Sequence, residues 1–162
     1  MAKHKIIKTN ALRALDNHDI DYEIVAYEAP GGFLDGVSVA LQIGIDPEQV
    51  YKTLVLQGSS QDYYVCVIPV ASELDLKKVA SHFREKKVEM IPAKNITMVT
   101  GYIKGGCSPV SMKKTYKTAI ASQAINLDTI TVNAGKVGLQ MTLAVKDLLE
   151  VTQADFGELV KH

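Results

Sequence analysis

Cysteine is scarce in this sequence, and long apolar runs are absent. Only Cys66 and Cys107 occur among 162 residues, which excludes the disulfide framework that stabilises many small secreted domains. No apolar stretch approaches the ~20 residues that a membrane-spanning helix needs. Residues 1–15 contain basic side chains but lack the apolar core and the cleavage site of a signal peptide. These absences predict a cytoplasmic protein with no membrane partner.

Motifs for metal ions, for cofactors and for a serine nucleophile are lacking as well. The sequence has four histidines, but it has no CxxC, HxxxH or paired acidic motif, so we expect no metal site. Neither the GK[ST] of a phosphate-binding loop nor a dinucleotide-binding fingerprint occurs, and no cofactor is expected. The GxSxG motif of serine hydrolases is absent too.

Charge is balanced overall but unevenly distributed. Eighteen basic residues oppose eighteen acidic residues, which argues against a protein that simply coats nucleic acid. Residues 90–127, however, contain no Asp or Glu, an asymmetry that is compatible with a face that meets a polyanion. Charge alone favours the simpler alternative, in which the lysines are solvated loop residues. The lysines of this segment are Lys94, Lys104, Lys113, Lys114 and Lys117.

The pattern of apolar residues predicts one domain, residues 1–162, with an α+β fold. Helices and strands are mixed without regular βαβ alternation, which favours a mixed β-sheet curled into a barrel with flanking helices. The third helix is expected to begin with a capping box formed by Ser72 and Asp75. Helices are predicted at 9–18, 36–44, 72–83, 146–151 and 154–160, and strands at 22–27, 50–57, 63–70, 87–91, 118–122, 129–133 and 138–144.

Lys52 is predicted to lie among apolar side chains. Strand alternation places it on the same face as Val50, Leu54 and Leu56. Burial of an unpaired ammonium is costly and lowers its pKa, so this lysine could hold an anionic or carbonyl oxygen, or exchange a proton, at a pocket. Alternatively, its stem is buried near the strand end while its charge reaches water. The residue pattern leaves both interpretations open.

A glycine-rich loop, GYIKGGCSPV, offers a second candidate site. Gly105 and Gly106 permit unusual backbone angles and close approach of a ligand, and Pro109 stiffens the exit of the loop. With Cys107 and Ser108 they form a rigid segment that presents backbone N–H and C=O groups. An ordinary Gly–Pro turn is the alternative. Cys107 has no histidine at a partner spacing, which favours a structural cysteine over a nucleophile.

A third segment, VNAGKVGLQM at residues 132–141, is predicted to be a turn between two strands. Asn133 and Gln140 flank this turn. By itself the segment is a hairpin, and its polar flanks matter only if it closes over the same pocket as Lys52.

Together, the segments VYKTLV, IPVASELDLKKVA, KKVEMIP, TGYIKGGCSPVSMKK and AGKVGLQ resemble the YbaK/EbsC family of free-standing aminoacyl-tRNA deacylases. This family is similar to the editing domain inserted in bacterial prolyl-tRNA synthetase. The resemblance extends from about Thr9 to the C-terminus, and it depends on the order and spacing of the motifs. The order is a strand lysine, a GxxxP loop and a GKxG turn.

The resemblance implies a trans-editing hydrolase with a pocket for the aminoacyl-adenosine end of a mischarged tRNA. Cys-tRNA(Pro) is the implied substrate, and its ester is cleaved with help from the substrate's own thiol. Mischarged tRNA is therefore the expected partner, and prolyl-tRNA synthetase is a candidate second partner. The alternative is a non-catalytic, regulatory module of the EbsC type that binds charged tRNA or aminoacyl-adenosine. A third possibility is a hydrolase that depends on Cys107.

The resemblance also implies roles for individual residues. Lys52 corresponds to the family lysine near the ester and the terminal ribose, and it is the expected catalytic residue. The other expected substrate-binding residues are Tyr27, Thr53, Gly105, Gly106, Cys107, Ser108, Pro109, Asn133 and Gln140. The residues expected to guide the acceptor stem through its phosphates are Lys104, Lys113, Lys114, Lys117 and Lys136.

Several positions depart from the family pattern. Asn133 stands where serine is common, Val137 replaces an arginine, and Gln140 stands where some members carry an acid. The aromatic residue expected before the second helix is Phe33, although ungapped counting gives Asp35. These departures concern amino-acid specificity more than the fold.

Overall fold

The protein has an α+β fold with two β-sheets. Its structure is a computed structural model that describes residues 8–32 and 34–162. Short 3-10 turns lie at Pro47–Gln49, Ala93–Asn95 and Ser122–Asn126. The helices are α1 (Asn10–Asn17), α2 (Gly36–Ile43), α3 (Leu76–Phe83), α4 (Ile96–Thr100) and α5 (Val145–Thr152). The strands are β1 (Tyr22–Ala26), β2 (Tyr51–Gly58), β3 (Tyr63–Pro69), β4 (Val88–Met90), β5 (Lys117–Ala121), β6 (Thr129–Lys136), β7 (Leu139–Ala144) and β8 (Asp155–Gly157).

The larger sheet has the strand order β4-β2-β3-β5-β8, and the smaller has the order β1-β7-β6. The smaller sheet is antiparallel throughout. In the larger sheet, β2 pairs antiparallel with β3 and β4, whereas β5 runs parallel to both β3 and β8. The predicted mixed sheet and the α+β class are therefore confirmed.

The predicted barrel is wrong, because neither sheet closes on itself within the described residues. Within the part of the chain that the structure describes, one isolated parallel bridge, between Val50 and Thr131, joins the two sheets. Beyond this bridge, a cavity lined by Lys52 of β2 and by Asn133 of β6 separates the strands.

Helices α1, α2 and α3 begin at side-chain caps that their sequences provide. The hydroxyl of Thr9 accepts a hydrogen bond from the Leu12 amide, and the carboxylate of Asp35 accepts one from the Ser38 amide at 2.9 Å. The predicted capping box at the third helix is wrong. Asp75 itself caps α3 by accepting from two backbone amides, so Ser72 lies before the helix.

Two predictions from local periodicity also need correction. Residues 154–160 were expected to be helical, but Asp155–Gly157 forms strand β8, which pairs in parallel with β5. The short helix α4, Ile96–Thr100, was not predicted. Both elements are stabilised by contacts that are distant in sequence, which a local pattern does not encode.

The main hydrophobic core lies between the sheets and α1. In the central strand β3, Val65 through Ile68 are completely buried, as expected for a strand covered on both faces. Leu12 and Leu15 of α1 are also fully buried, and each contributes about 1.5–3 kcal/mol to stability. Packing of this kind, more than helix propensity, stabilises a helix of only eight residues.

Candidate active site

A cavity of about 380 Å³ lies between the two sheets. Its volume is within the usual range for small-molecule sites, roughly 300–1,000 Å³. One wall comes from β2, and the opposite wall comes from β6, β7 and the segment after β1. Apolar side chains form much of the lining, including Leu34, Val39, Val50, Leu54, Val70, Met90, Ile91 and Ile96. The polar and loop residues are Tyr27, Tyr51, Lys52, Thr53, Lys104, Gly105, Cys107, Asn133 and Gln140.

Lys52 lies on this cavity, half-buried, near the N-terminal end of β2, where it pairs with Ile68 of β3. Burial lowers the pKa of its amine, and attraction to the Glu73 carboxylate partly opposes that effect. Gly105 lines the same cavity. The lysine and the glycine-rich loop are therefore brought together across about fifty residues of sequence.

Backbone geometry and a buried tyrosine shape the glycine-rich loop. Gly105 has a φ of 84°, in the left-handed region that favours glycine. The Gly106 amide donates to the Ile103 carbonyl at 2.9 Å, which closes a turn. The Tyr102 hydroxyl donates to the Val110 carbonyl at 2.5 Å, which joins the start of the loop to its end. These contacts define the loop before any ligand arrives.

Asn133 connects this loop to the turn between β6 and β7. Its Nδ2 donates to the carbonyl oxygens of Gly105 and Lys136, both at 3.2 Å. Its Oδ1 accepts from the amides of Gly135 and Lys136, at 2.7 and 3.1 Å. Both the nitrogen and the oxygen of the side-chain amide are thus hydrogen-bonded to backbone groups. Asn133 also lines the cavity, so these bonds give it a structural role there, and its expected contact with substrate stays a prediction.

Gly106 packs directly against the same turn. A Cβ added at this position would lie 2.8 Å from the Val137 amide nitrogen and 3.1 Å from the Lys136 carbonyl carbon. Both of these atoms belong to the backbone and cannot move aside like a flexible side chain. Glycine is required here for close contact between two segments.

Three residues predicted to bind substrate do not line the cavity. Gly106 faces the β6–β7 turn, as described above. Ser108 is fully buried, and its hydroxyl accepts from the Val110 amide at 3.2 Å. Pro109 instead lines a separate depression beside α1 and α5. Gly106, Ser108 and Pro109 shape the loop but do not line the described cavity.

Cys107 lines the cavity with a neutral thiol. Burial raises the pKa of Cys107 to about 11, so the reactive thiolate is disfavoured at neutral pH. No histidine, Asp or Glu belongs to the described lining of the cavity. This environment does not fit a Cys–His nucleophile.

The five lysines expected at the acceptor stem are exposed but dispersed. Lys104 lines the cavity. Lys136 belongs to the turn that contacts the glycine-rich loop. Lys113 donates to the Met98 carbonyl at 3.2 Å, and Lys114 lines the separate depression that also includes Pro109. Lys117 begins β5, opposite Tyr64. Only the first two are placed near the cavity.

Tyr51 is the residue at this site that sequence reasoning missed. It is 2% exposed, and its hydroxyl has no hydrogen-bond partner among the described residues. Burial raises the pKa of Tyr51 to about 12, with a smaller contribution from the Glu48 carboxylate. A tyrosine in a strand is ordinary, so the sequence contained no signal for this residue beyond its position next to Lys52.

The aromatic position before α2 has a mixed outcome. Phe33 lies outside the described residues. Asp35, the other residue considered there, caps α2 through Ser38 and is not part of the cavity lining.

Comparison with known proteins identifies the family. Residues 36–151 match the family of aminoacyl-tRNA editing domains. A curated relative from Enterococcus faecalis, named as a proposed Cys-tRNA(Pro)/Cys-tRNA(Cys) deacylase EbsC, is 42% identical over 160 residues, covering 98% of both chains. This chain belongs to the aminoacyl-tRNA editing domain family. The resemblance inferred from the segments around Lys52 and Gly105 is confirmed.

Solved structures of other proteins share the fold of this editing domain. A scaffold used for computational epitope grafting superposes with a TM-score of 0.83 at 20% identity, covering 94% of this chain and 95% of its own. A proposed trans-editing enzyme for prolyl-tRNA synthetase superposes with a TM-score of 0.80 at 19% identity, covering 95% and 99% of the two chains. At these identities the likeness shows the fold alone.

None of the described helices has the length and apolar character that a bilayer-spanning segment needs. Within residues 8–32 and 34–162, no group of three or more His, Cys, Asp or Glu side chains is arranged to hold a metal ion.

Proposed function

We propose that this protein is a trans-editing enzyme that deacylates mischarged tRNA, with Cys-tRNA(Pro) as its principal substrate. Membership of the editing-domain family supports this function, as does the 42% identity to a relative named for the same reaction. The observation that carries the proposal is the shared cavity of Lys52 and Gly105. In this cavity, the partly buried ammonium of Lys52 and the backbone of the glycine-rich loop can contact the same ligand.

The aminoacyl group is the tip of the acceptor end, so it enters the deepest part of the cavity while the nucleotides remain near the mouth. The Lys52 ammonium stabilises negative charge that develops on the ribose oxygen of the ester as it leaves. Burial of the lysine strengthens this interaction, because the local dielectric constant is lower than that of water. The backbone of Gly105 positions the aminoacyl group beside the lysine.

The described cavity lining provides no carboxylate or imidazole that could act as a general base. The nucleophile therefore comes from the substrate. In Cys-tRNA the thiol sulfur attacks the carbonyl carbon, a C–S bond forms and the ester C–O bond breaks. The thiol proton passes to the departing ribose oxygen, and a thiolactone is released. Positioning is sufficient because the aminoacyl ester is already activated.

The exposed lysines nearest the cavity, Lys104 and Lys136, contact phosphates of the acceptor stem. Lys113, Lys114 and Lys117 contribute only to the longer-range attraction of tRNA. Charged tRNA circulates in the cytoplasm, where we place this activity. Prolyl-tRNA synthetase, the source of the mischarged tRNA, is the proposed partner.

The test is a deacylation assay with Cys-tRNA(Pro), Ala-tRNA(Pro) and correctly charged Pro-tRNA(Pro). Wild-type protein should release cysteine from the first substrate and leave the third charged. Lys52→Met, which keeps the length of the side chain and removes its charge, should lower kcat/KM for Cys-tRNA(Pro) by about 100-fold or more. Lys146→Met on the exposed surface of α5 is the matched control and should have no effect.

Each outcome of this assay decides between the functional alternatives. An undiminished rate in folded Lys52→Met would overturn the role of the lysine. Binding of Cys-tRNA(Pro) without cleavage by the wild-type protein would instead favour the non-catalytic module of the EbsC type. Inactivation by thiol alkylation, together with loss of activity in Cys107→Ala, would favour the cysteine-dependent hydrolase.

A further inference from the structure

Two buried polar atoms at the cavity have no hydrogen-bond partner among the described residues. They are the hydroxyl oxygen of Tyr51 and the side-chain oxygen of Gln140. The two side chains are only 2% and 6% exposed, and both residues line the same cavity. Buried polar atoms are nearly always paired, because an unpaired one has lost its water without compensation. Two unpaired atoms at one cavity indicate that their partner arrives with the ligand.

The positions of these residues place them on opposite walls. Val50, which precedes Tyr51, forms the bridge to Thr131 of β6. Gln140 of β7 pairs with Asn133, which lies two residues after Thr131 in β6. Tyr51 therefore belongs to the wall of the larger sheet and Gln140 to the wall of the smaller sheet. Both side chains are buried and line the cavity, into which the proposed function places the aminoacyl group.

The chemistry of the two atoms restricts the ligand. The Gln140 oxygen can only accept a hydrogen bond, whereas the Tyr51 hydroxyl can both donate and accept. Tyr51 stays protonated at neutral pH, because burial raises its pKa to about 12. The charged side chains in the described lining are Lys52 and Lys104, with no carboxylate to pair a positively charged ligand group. A small neutral group that donates and accepts, such as a thiol or a hydroxyl, fits this environment.

We infer that Tyr51 and Gln140 select the aminoacyl group, favouring a small side chain that ends in a thiol or hydroxyl over an aliphatic side chain of similar size. An aliphatic group would leave both atoms unpaired in the complex. Sites built to hydrogen-bond a substrate group discriminate strongly against analogues that lack it, for this reason. The inference rests on the proposed function, since it requires the aminoacyl end to enter this cavity.

The experiment measures binding separately from turnover. The probes are adenosine derivatives in which cysteine, serine or 2-aminobutyrate is attached to the ribose through an amide, which replaces the labile ester. Aminobutyrate has nearly the shape of cysteine but lacks the thiol. By titration calorimetry, wild-type protein should bind the cysteinyl probe about tenfold more tightly than the aminobutyryl probe. Tyr51→Phe and Gln140→Leu should each reduce this ratio to about twofold or less.

Stability measurements separate ligand selection from a structural role. Tyr51→Phe removes a hydroxyl that is unpaired in the free protein, so its free energy of unfolding should be unchanged or higher. The matched control is Tyr116→Phe, which removes a hydroxyl that donates to the Val99 carbonyl at 2.6 Å. This control should be less stable than wild type and should keep the wild-type binding ratio.

The outcomes distinguish this inference from the proposed function. A wild-type ratio that persists in folded Tyr51→Phe and Gln140→Leu overturns the selection role, even if Cys-tRNA(Pro) is cleaved normally. Wild-type protein that binds none of the probes and leaves Cys-tRNA(Pro) charged overturns both. Loss of the thiol preference in both variants, with cleavage of Cys-tRNA(Pro) retained by wild type, supports both.

Discussion

The Nδ2 of Asn133 lies 3.2 Å from the carbonyl oxygen of Gly105, 28 residues earlier in the chain. The same side chain also holds the β6–β7 turn by accepting hydrogen bonds from the Gly135 and Lys136 amides. One amide group therefore fixes the glycine-rich loop relative to the neighbouring hairpin. The shape of the cavity at Gly105 depends on this connection.

Replacement of Asn133 should weaken both stability and substrate binding. Asn133→Asp keeps an acceptor for the turn amides but removes the two donors, so its carboxylate faces the Gly105 carbonyl. We expect a loss of about 1–3 kcal/mol in the free energy of unfolding, measured by urea denaturation. KM for Cys-tRNA(Pro) should rise more than kcat falls, because the loop positions substrate.

The control for this prediction is Asn133→Ser, the residue that is common in the resembling family. A hydroxyl can accept from the turn and donate to one carbonyl, so its effect should be intermediate. If Asn133→Asp has wild-type stability and wild-type KM, the connection between the two segments is unimportant.

Gly106 should tolerate no larger residue. In Gly106→Ala the new Cβ would meet the backbone nitrogen of Val137 at 2.8 Å, so the loop and the turn must separate. We expect a loss of about 1–3 kcal/mol in stability, as for other overpacked sites, and a raised KM. Gly31→Ala is the matched control, since a Cβ added at Gly31 would have no other atom within 4 Å. Equal stability of the two variants would contradict the packing argument.

The lysines should differ in their effect on tRNA binding. Lys104→Ala should reduce the slope of log affinity against log salt by about 1, as expected for loss of one phosphate contact. Lys114→Ala should change this slope less, because Lys114 lines a depression away from the cavity. Filter binding with uncharged tRNA(Pro) over a range of salt concentrations measures both. Equal slopes for the two variants would remove the special role of Lys104.

Alkaline pH should destabilise the protein through Cys107. Its folded-state pKa of about 11 is above the value of about 8.5 for an unfolded chain. The protonated thiol therefore favours the folded state, and this stability is present below pH 8.5 and is lost as the pH rises toward about 11. Burial of Cys66, whose pKa is raised to about 12, acts in the same direction.

The pH dependence can be assigned by substitution. Cys107→Ala should show a shallower fall in the free energy of unfolding between about pH 8.5 and 11 than wild type. The variant should retain cleavage of Cys-tRNA(Pro), because the neutral thiol has no nucleophilic role in the proposed reaction. An unchanged pH profile would show that Cys107 titrates normally in the folded protein.

Local signals predicted most of the secondary structure. Thr9 marks the start of α1, and Gly44, in the left-handed conformation, marks the end of α2. Strand β8 was mistaken for a helix because its identity depends on parallel pairing with β5, far away in sequence. The barrel was predicted wrongly because sequence periodicity does not reveal that, among the described residues, the pairing between the sheets is limited to one bridge, Val50–Thr131.

The candidate site was predictable where a residue type was unusual for its position. The lysine within an apolar strand face and the paired glycines before a proline were both predicted to belong to the site. Lys52 and Gly105 do line one cavity. Tyr51 was missed because only its unpaired hydroxyl makes it unusual. The roles of Asn133 and Gly106 depend on contacts across 28 or more residues, which one sequence does not reveal.

The cavity lies between the two sheets, so its two sides belong to different sheets. The side with Lys52 is built by β2, and the side with Gln140 is built by β7. Lys52, proposed for bond cleavage, and Tyr51, inferred to help select the amino acid, thus lie on one structural unit, whereas Gln140, the second residue inferred to select it, lies on the other. Engineering of new substrate preferences can begin with the three-stranded unit while the lysine-bearing unit stays intact.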